Sequence, residues 1–247
     1  MFDQIPATQI LFLDVETVPQ YEKHEQMPEP FASLWEKKSS FLIKDEETAE
    51  TLYKRAGIYA EFGKIICISC GVFTKDETFR IKSFYGHDEK EVLSGFVDLL
   101  NKSYESGDKY LCAHNGKEFD FPFICRRLLI NGMKLPSILD LRGKKPWEVM
   151  HLDTMELWKF GDYKSYTSLT LLAAVFGIPT PKDDIDGSMV GDVYWKEHNL
   201  NRIVTYCQKD VLTIAQLYRK FKCEELLTAD DLIYAEPESA LPFTSNG

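Results

Sequence analysis

The strongest constraint on the fold is an apolar run near the start of the chain, Leu11 to Thr17, which contains two acids. On a β-strand alternate residues share a face, so Asp14 and Glu16 would lie side by side. Burying two unpaired like charges is costly, and a divalent cation bound between the two carboxylates would remove that cost. An edge strand with both acids in water would remove it as well. The strand pattern alone leaves both alternatives open.

Composition excludes several classes of protein. The 247 residues are 44% hydrophobic and 13% aromatic, enough for a buried core, and no run reaches the roughly 18 apolar residues of a membrane span. We therefore expect a globular, cytoplasmic protein without a membrane partner. The net charge of −10 argues against non-specific coating of nucleic acid. Residues 114–164 nevertheless hold nine Lys/Arg against seven Asp/Glu, which leaves room for a small phosphate-contacting surface.

The six cysteines indicate reduced core thiols, because most of them stand in apolar runs. Cys67 and Cys70 form a C-x-x-C within a predicted strand. Residues i and i+3 of a strand face opposite sides of the sheet, and no second pair follows. We therefore predict no zinc site there.

The periodicity predicts one α/β domain over residues 1–223, built on a central mixed sheet of about five strands flanked by helices. Residues 20–62 form a helical insertion that either packs on the domain or acts as a lid over a substrate. Residues 224–247 are acidic and predict a mobile tail. The predicted strands cover residues 9–18, 64–73, 78–85, 110–114 and 137–141, and the predicted helices cover 90–104, 120–131, 168–176 and 199–221. A further helix begins at Asp153, a good N-cap.

Two more stretches carry candidate functional residues. Tyr206 and Asp210 are four residues apart beside the apolar stripe of the last predicted helix, so they stack on one face. Asn115-Gly116 forms a turn after a strand, and Asp120 begins the next helix. Taken singly, each stretch also has an ordinary explanation. The helical pair could be a half-buried tyrosine with a solvated acid, and the turn could be a common connection between a strand and a helix.

Taken together, three motifs resemble those of the DEDD exonuclease superfamily in its tyrosine-bearing branch, an RNase H-like group: Asp14-x-Glu16, Asn115-x-x-x-Phe119-Asp120 and Tyr206-x-x-x-Asp210. The histidine-bearing branch places a histidine where this chain has Thr205. Within the superfamily, the chain is similar to the proofreading 3′–5′ exonuclease domain of family-B DNA polymerases. The resemblance runs from Leu11 to about Phe221, with no polymerase domain after it, and implies a stand-alone exonuclease with a role in DNA repair.

The resemblance also implies a mechanism with two divalent ions, Mg²⁺ or Mn²⁺, held by four carboxylates. Asp14 would bridge both ions, Glu16 and Asp210 would complete the water-activating site, and Asp120 would support the second ion. Tyr206 would orient the attacking water rather than act as the base, because an unperturbed tyrosine has a pKa near 10.

The implied reaction releases mononucleotides from the 3′ end of a single strand, with DNA favoured over RNA as the partner. A 3′–5′ exoribonuclease and a catalytically silent nucleic-acid-binding module are the alternatives. Candidate substrate contacts are Val15, Thr17, Asn115, Phe119, Phe121 and Arg126. A basic loop of Arg142, Lys144 and Lys145 is a further candidate, with an ordinary surface loop as its alternative.

Overall fold

The computed structural model describes residues 4–44, 46–105, 107–162, 164–179 and 185–235. A six-stranded sheet has the order β5-β4-β1-β2-β3-β6. Its strands are β1 (Ile10–Pro19), β2 (Gly63–Phe73), β3 (Phe79–Tyr85), β4 (Tyr110–Ala113), β5 (Leu152–Asp153) and β6 (Leu232–Tyr234). The β1–β2 and β2–β3 pairs are antiparallel, whereas β1–β4, β4–β5 and β3–β6 are parallel. The expected mixed α/β architecture, a central sheet flanked by helices, is confirmed.

Helices cover both faces of the sheet. They are α1 (Phe31–Ser39), α2 (Ala49–Leu52), α3 (Glu89–Ser103), α4 (Asp120–Ile130), α5 (Thr154–Lys159), α6 (Leu169–Val175), α7 (Val190–Trp195) and α8 (Leu200–Phe221). Asp153 caps α5 and Asn199 caps α8, each by accepting backbone N–H bonds. Among the described residues no helix combines the length and hydropathy needed to cross a bilayer.

The strand β1 lies in the interior of the sheet, so the edge-strand alternative for it is wrong. Its odd-numbered residues, such as Leu13, pack in the core cluster with α3 and α4. Phe12 represents the even-numbered residues of β1, and it packs on the opposite face against Val211, Ile214 and Tyr218 of α8. Because both faces are covered, Glu16 on the α8 face is buried and Asp14 beside it is half-buried.

Two predictions about the sheet are wrong. Residues 137–141 do not form the fifth strand, because Ser137–Leu139 is a short 3₁₀ helix after Pro136. The fifth strand is instead the two-residue β5, which is too short to produce an alternating pattern. A sixth strand, β6, lies inside the predicted tail and pairs with β3. Residues 224–235 are therefore part of the folded unit, and residues 236–247 lie outside the described residues.

The insertion between β1 and β2 contains α1, α2 and a 3₁₀ helix over Tyr53–Ile58, packed around a small core of its own. Trp35 is fully buried there, and its Nε1 donates to the carbonyl oxygen of Ala49 at 2.7 Å. Gly57 lies against β1, where an added Cβ would come within 3.0 Å of the Val18 backbone. The predicted helical character is confirmed, and the lid alternative stays a prediction.

Candidate active site

The acids of β1 lie beyond the end of its parallel neighbour. Pairing with β4 stops at Phe12 and Cys112, whereas pairing with β2 continues through Glu16. Asp14 and Glu16 therefore have no strand beside them on the β4 side within the described sheet. Ligand sites of open α/β sheets commonly form at such carboxyl ends of strands.

Helix α8 places three further side chains over these acids. Cys207 Sγ donates to the backbone oxygen of Asp14 at 3.4 Å. Carboxylate oxygens of Asp14 and Glu16 and the Cys207 sulfur all lie within 4.8 Å of one another. Tyr206 is hydrogen-bonded to Asp210 one turn further on, and both are half-buried. The face of α8 that carries Tyr206 and Asp210 is thus turned toward β1.

The turn before α4 delivers the fourth carboxylate. Asn115 has a left-handed φ of 64°, a conformation that Asn tolerates better than most residues. An added Cβ on Gly116 would come within 2.4 Å of the Ala113 Cβ, so the turn needs glycine at this position. Asp120 is 4% exposed. Burial raises its pKa, and the backbone N–H groups of Asp120 itself and of Val15, which lie near its carboxylate, partly offset that rise. The start of α4 therefore lies against β1 between the two acids.

Asp153 holds this turn in place. Its Oδ1 accepts from the backbone N–H of Asn115 at 2.9 Å, and its Oδ2 accepts from that of Lys117 at 3.0 Å. The same Oδ1 accepts from Met155 and Glu156, which caps α5. One buried carboxylate therefore links the start of α5 to the turn that precedes Asp120.

The electrostatics of the candidate ligands differ from those of an ordinary buried acid. Burial raises the pKa of Asp14 and of Glu16, and neighbouring carboxylates raise both further. Burial likewise raises the pKa of Asp120 to about 7. Glu89 is also buried, but it forms a two-pronged ion pair with Arg127. The charge of Glu89 is thus balanced by Arg127, whereas the acids of the site repel one another.

The residues fit a divalent metal. Asp14 Oδ2 is buried and accepts no hydrogen bond from any of the described residues. A buried carboxylate oxygen normally has a hydrogen-bond partner, so this atom is positioned for a ligand of another kind. Clustered carboxylates are the oxygen ligands that Mg²⁺ and Mn²⁺ prefer. Among the described residues, the close group of possible ligand atoms is that of Asp14, Glu16 and Cys207, which can hold a divalent cation. Asp120 and Asp210 lie outside that group but are near enough to raise the pKa of Asp14.

These raised pKa values predict how pH changes the stability of the metal-free protein. Between its ordinary value and about 7, folded Asp120 keeps a proton that the unfolded chain has released, so the free energy of unfolding falls as pH rises. At about 1.4 kcal/mol per pKa unit, Asp120 alone contributes up to about 4 kcal/mol across this window. Burial lowers the pKa of His87, His114 and His151, so below about pH 6.5 the unfolded chain binds protons that the folded histidines do not, and stability rises with pH. The acids are therefore tested between pH 6.5 and pH 8, where we expect denaturant melts in a chelator to show declining stability, and Mg²⁺ to restore it. Asp120→Asn should reduce this decline, and a flat curve for the unsubstituted protein between these pH values would contradict the electrostatic description.

The structure separates the predicted substrate contacts into two groups. Phe121 is fully buried in the core against His151, so the prediction that its side chain contacts substrate is wrong. The Val15 side chain is buried in the same cluster and can offer only backbone groups. The remaining candidates reach the surface at least in part, and their roles stay predictions: Thr17, Asn115 and Phe119 are half-buried and Arg126 is exposed.

The basic loop consists of surface residues with local partners. Arg142 forms a bidentate pair with Asp140 at 2.6–2.7 Å. Lys145 Nζ lies 5.2 Å from the centre of the exposed Trp147 ring. These contacts agree with the ordinary surface-loop alternative.

The sequence analysis did not assign two residues to the site, although each stands in a recognisable local pattern. Asp153 was recognisable as a helix cap, but its bonds to the turn at Asn115 cross 38 positions of the chain and have no local pattern. Cys207 was assigned to the buried stripe of α8, which is confirmed, but its contact with the backbone of Asp14 spans 193 positions.

Comparisons with known proteins relate this chain to one family and to two DNA polymerases. A family model described as "Predicted 3'-5' exonuclease related to the exonuclease domain of PolB" matches residues 58–235, which include the second and third motifs but not Asp14 and Glu16. A DNA polymerase of Pyrococcus glycovorans is 21% identical over 197 residues, covering 70% of this chain and 24% of the polymerase.

A family B DNA polymerase structure from the hyperthermophilic archaeon Pyrobaculum calidifontis is 18% identical with a TM-score of 0.46, covering 85% of this chain and 24% of the polymerase. The chain thus spans about a quarter of the length of both relatives.

Proposed function

Because the chain belongs to the family of predicted 3′–5′ exonucleases related to the exonuclease domain of PolB, we propose that it is a metal-dependent 3′–5′ exonuclease acting on single-stranded DNA. The observation that carries the proposal is the buried acidic cluster in which Asp14 and Glu16 face α8 and one Asp14 oxygen has no partner among the described residues. The matched region contributes the other two acids, Asp120 and Asp210.

The four acids Asp14, Glu16, Asp120 and Asp210 would hold two divalent ions, Mg²⁺ or Mn²⁺. Such ions, when bound, lower the pKa of a coordinated water and stabilise charge on phosphoryl and leaving-group oxygens. The chain supplies the geometry. Asp14 and Glu16 are fixed by an interior strand, and the Asp120 carboxylate lies near the backbone N–H of Val15 between them.

Tyr206 positions the attacking water. Burial raises its pKa, and the neighbouring carboxylates, Asp210 first, raise it further. The phenol therefore stays protonated across the physiological range and donates a hydrogen bond instead of removing a proton. The phosphate's negative charge would be balanced by the ions rather than by the acidic protein surface.

The Tyr206→Phe substitution tests this positioning role. Loss of one hydrogen bond to a charged or reacting group costs about 1.5–3 kcal/mol, so we expect kcat to fall about 10- to 100-fold with little change in KM. Tyr194→Phe is the matched control, because the Tyr194 hydroxyl bonds to Lys64 and His87 away from the acidic cluster. Unchanged turnover in Tyr206→Phe would remove Tyr206 from the mechanism.

The proposed function is tested by following 5′-labelled single strands on a sequencing gel with Mg²⁺ or Mn²⁺. A 3′–5′ exonuclease yields a ladder that shortens from the 3′ end and releases mononucleotides, and a chelator stops it. Parallel DNA and RNA strands decide between the deoxyribonuclease and the exoribonuclease alternative. Internal cleavage, or no degradation with either ion, would overturn the proposal.

A further inference from the structure

An exposed aromatic surface borders the proposed active site. We name Lys159, Phe160 and Tyr166 the rim platform. Tyr166 is 66% exposed and Phe160 is 90% exposed, and Lys159 Nζ lies 5.5 Å from the centre of the Tyr166 ring. That separation is within the range of a cation–π contact. Single exposed apolar residues are common, but an exposed ring with a cation beside it, and a second exposed ring next to that lysine in the sequence, is a more specific arrangement.

The chain around Tyr166 is anchored to the turn that carries Asp120. His114, which follows β4, bonds through Nε2 to the carbonyl oxygen of Thr167 at 2.9 Å. Its Nδ1 bonds to the Thr154 hydroxyl at 2.8 Å. Because a carbonyl can only accept, Nε2 carries the proton and donates to Thr167. The ring of Tyr166 is therefore presented from a fixed backbone.

Tyr166 also lies beside the second motif itself. The Asn115 side chain approaches its hydroxyl and lowers its pKa, although burial and then Glu118 raise that pKa. Asn115 begins the turn whose last residue, Phe119, precedes Asp120. Tyr166, with Lys159 against its ring, therefore lies beside the turn that leads to Asp120.

The backbone at Phe160 points to a role other than folding. Phe160 ends α5 with a left-handed φ of 44°, a conformation suited to Gly or Asn and unfavourable for a bulky residue. Its ring is almost wholly in water, with an edge-on contact to Trp158 at 6.5 Å. The exposed ring does not stabilise the core, and the backbone that carries it is strained. This combination favours a functional explanation for the residue.

We propose that the rim platform is a binding subsite for single-stranded nucleic acid, in which Tyr166 and Phe160 stack on bases and Lys159 contacts a phosphate. The inference rests on the proposed function, because it assigns the rings to the strand that feeds the acidic cluster. Aromatic rings beside a cation bind single strands with little sequence preference, since every base presents a π-face. Residues 114–164, which include two of the three platform residues, are also the locally basic part of this acidic chain.

Binding is measured by fluorescence anisotropy of labelled oligothymidylate and oligouridylate in an Asp14→Asn background, so that the strand stays intact. Loss of one stacking partner typically weakens binding about tenfold, which we expect for Tyr166→Ala. Tyr166→Phe keeps the ring and should bind within about twofold of the parent. Tyr234→Ala is the matched control, because Tyr234 is 52% exposed on β6 at the opposite edge of the sheet.

Phe160→Asn separates binding from folding. Asparagine suits the left-handed conformation, so the variant should melt at a higher temperature while binding the strand more weakly. In the active protein, the KM penalty of Tyr166→Ala should be larger for a long strand than for a dinucleotide. A rise in melting temperature with unchanged affinity for Phe160→Asn, together with parental affinity in Tyr166→Ala, would overturn the subsite.

The two proposals fail in distinguishable ways. If the protein degrades strands but the platform variants bind as the parent does, the subsite is wrong and the exonuclease stands. If the parent binds strands, the platform variants bind weakly and no degradation occurs, the exonuclease is wrong and the subsite stands. Should Tyr166→Ala fail to fold, Phe160→Asn and Lys159→Ala decide the question with the same binding measurement.

Discussion

Asp14→Asn is expected to reduce strand degradation at least about a thousandfold while leaving the protein folded. Asp14 lies at the centre of the acidic cluster, its Oδ2 has no hydrogen-bond partner among the described residues, and Asp210 and Asp120 both act on it electrostatically. If it bridges the metals, its loss removes several kcal/mol of charge stabilisation, and each 1.36 kcal/mol is a factor of ten.

The same substitution should keep or raise stability in the absence of metal. Asparagine carries no charge, so the folded chain no longer has to desolvate a carboxylate beside Glu16, Asp120 and Asp210, or to take up a proton in order to avoid doing so. Degradation rate and denaturant midpoint are therefore measured on the same preparation. Asp76→Asn, an exposed acid in the β2–β3 turn, is the control and should change neither. Activity within tenfold of the parent would show that Asp14 does not hold a catalytic metal.

Asp153→Asn is expected to lower the free energy of unfolding by about 3 kcal/mol. The carboxylate accepts from four backbone N–H groups, two in the turn at Asn115 and Lys117 and two in α5. An amide has only one acceptor atom. Its NH₂ group, which donates, would therefore face a backbone N–H, which also donates. A lost hydrogen bond to a charged group costs about 1.5–3 kcal/mol, and a buried donor left unpaired costs about 1–3 kcal/mol.

Activity should fall about tenfold or more in Asp153→Asn, because the displaced turn directly precedes Asp120. The matched control is Asp88→Asn at the start of α3, where the carboxylate accepts from Lys90 and Glu91 only. Asparagine is as good a cap as aspartate, so this control should lose little stability. Equal losses in the two variants would mean that Asp153 acts only as a helix cap.

The sequence contained the local part of the site. The strand of Asp14 and Glu16, the turn from Asn115 to Asp120 and the helical face of Tyr206 and Asp210 all follow from short-range periodicity, because strand and helix geometry repeat every two or 3.6 residues. The order of the three motifs then indicated which known fold would join them. The capped ends of α5 and α8 are also local features, and the structure confirms them.

Only the tertiary structure decided which surfaces meet. It placed β1 inside the sheet, withdrew Phe121 into the core and added β6 from the predicted tail. The Asp153 bridge and the Cys207 contact join positions 38 and 193 residues apart. Such contacts depend on how whole helices and strands pack against one another, and this packing produces no periodic pattern in the sequence. The sequence by itself therefore determined the candidate metal ligands, whereas the tertiary structure alone determined their burial, their mutual repulsion and the side chains that hold them.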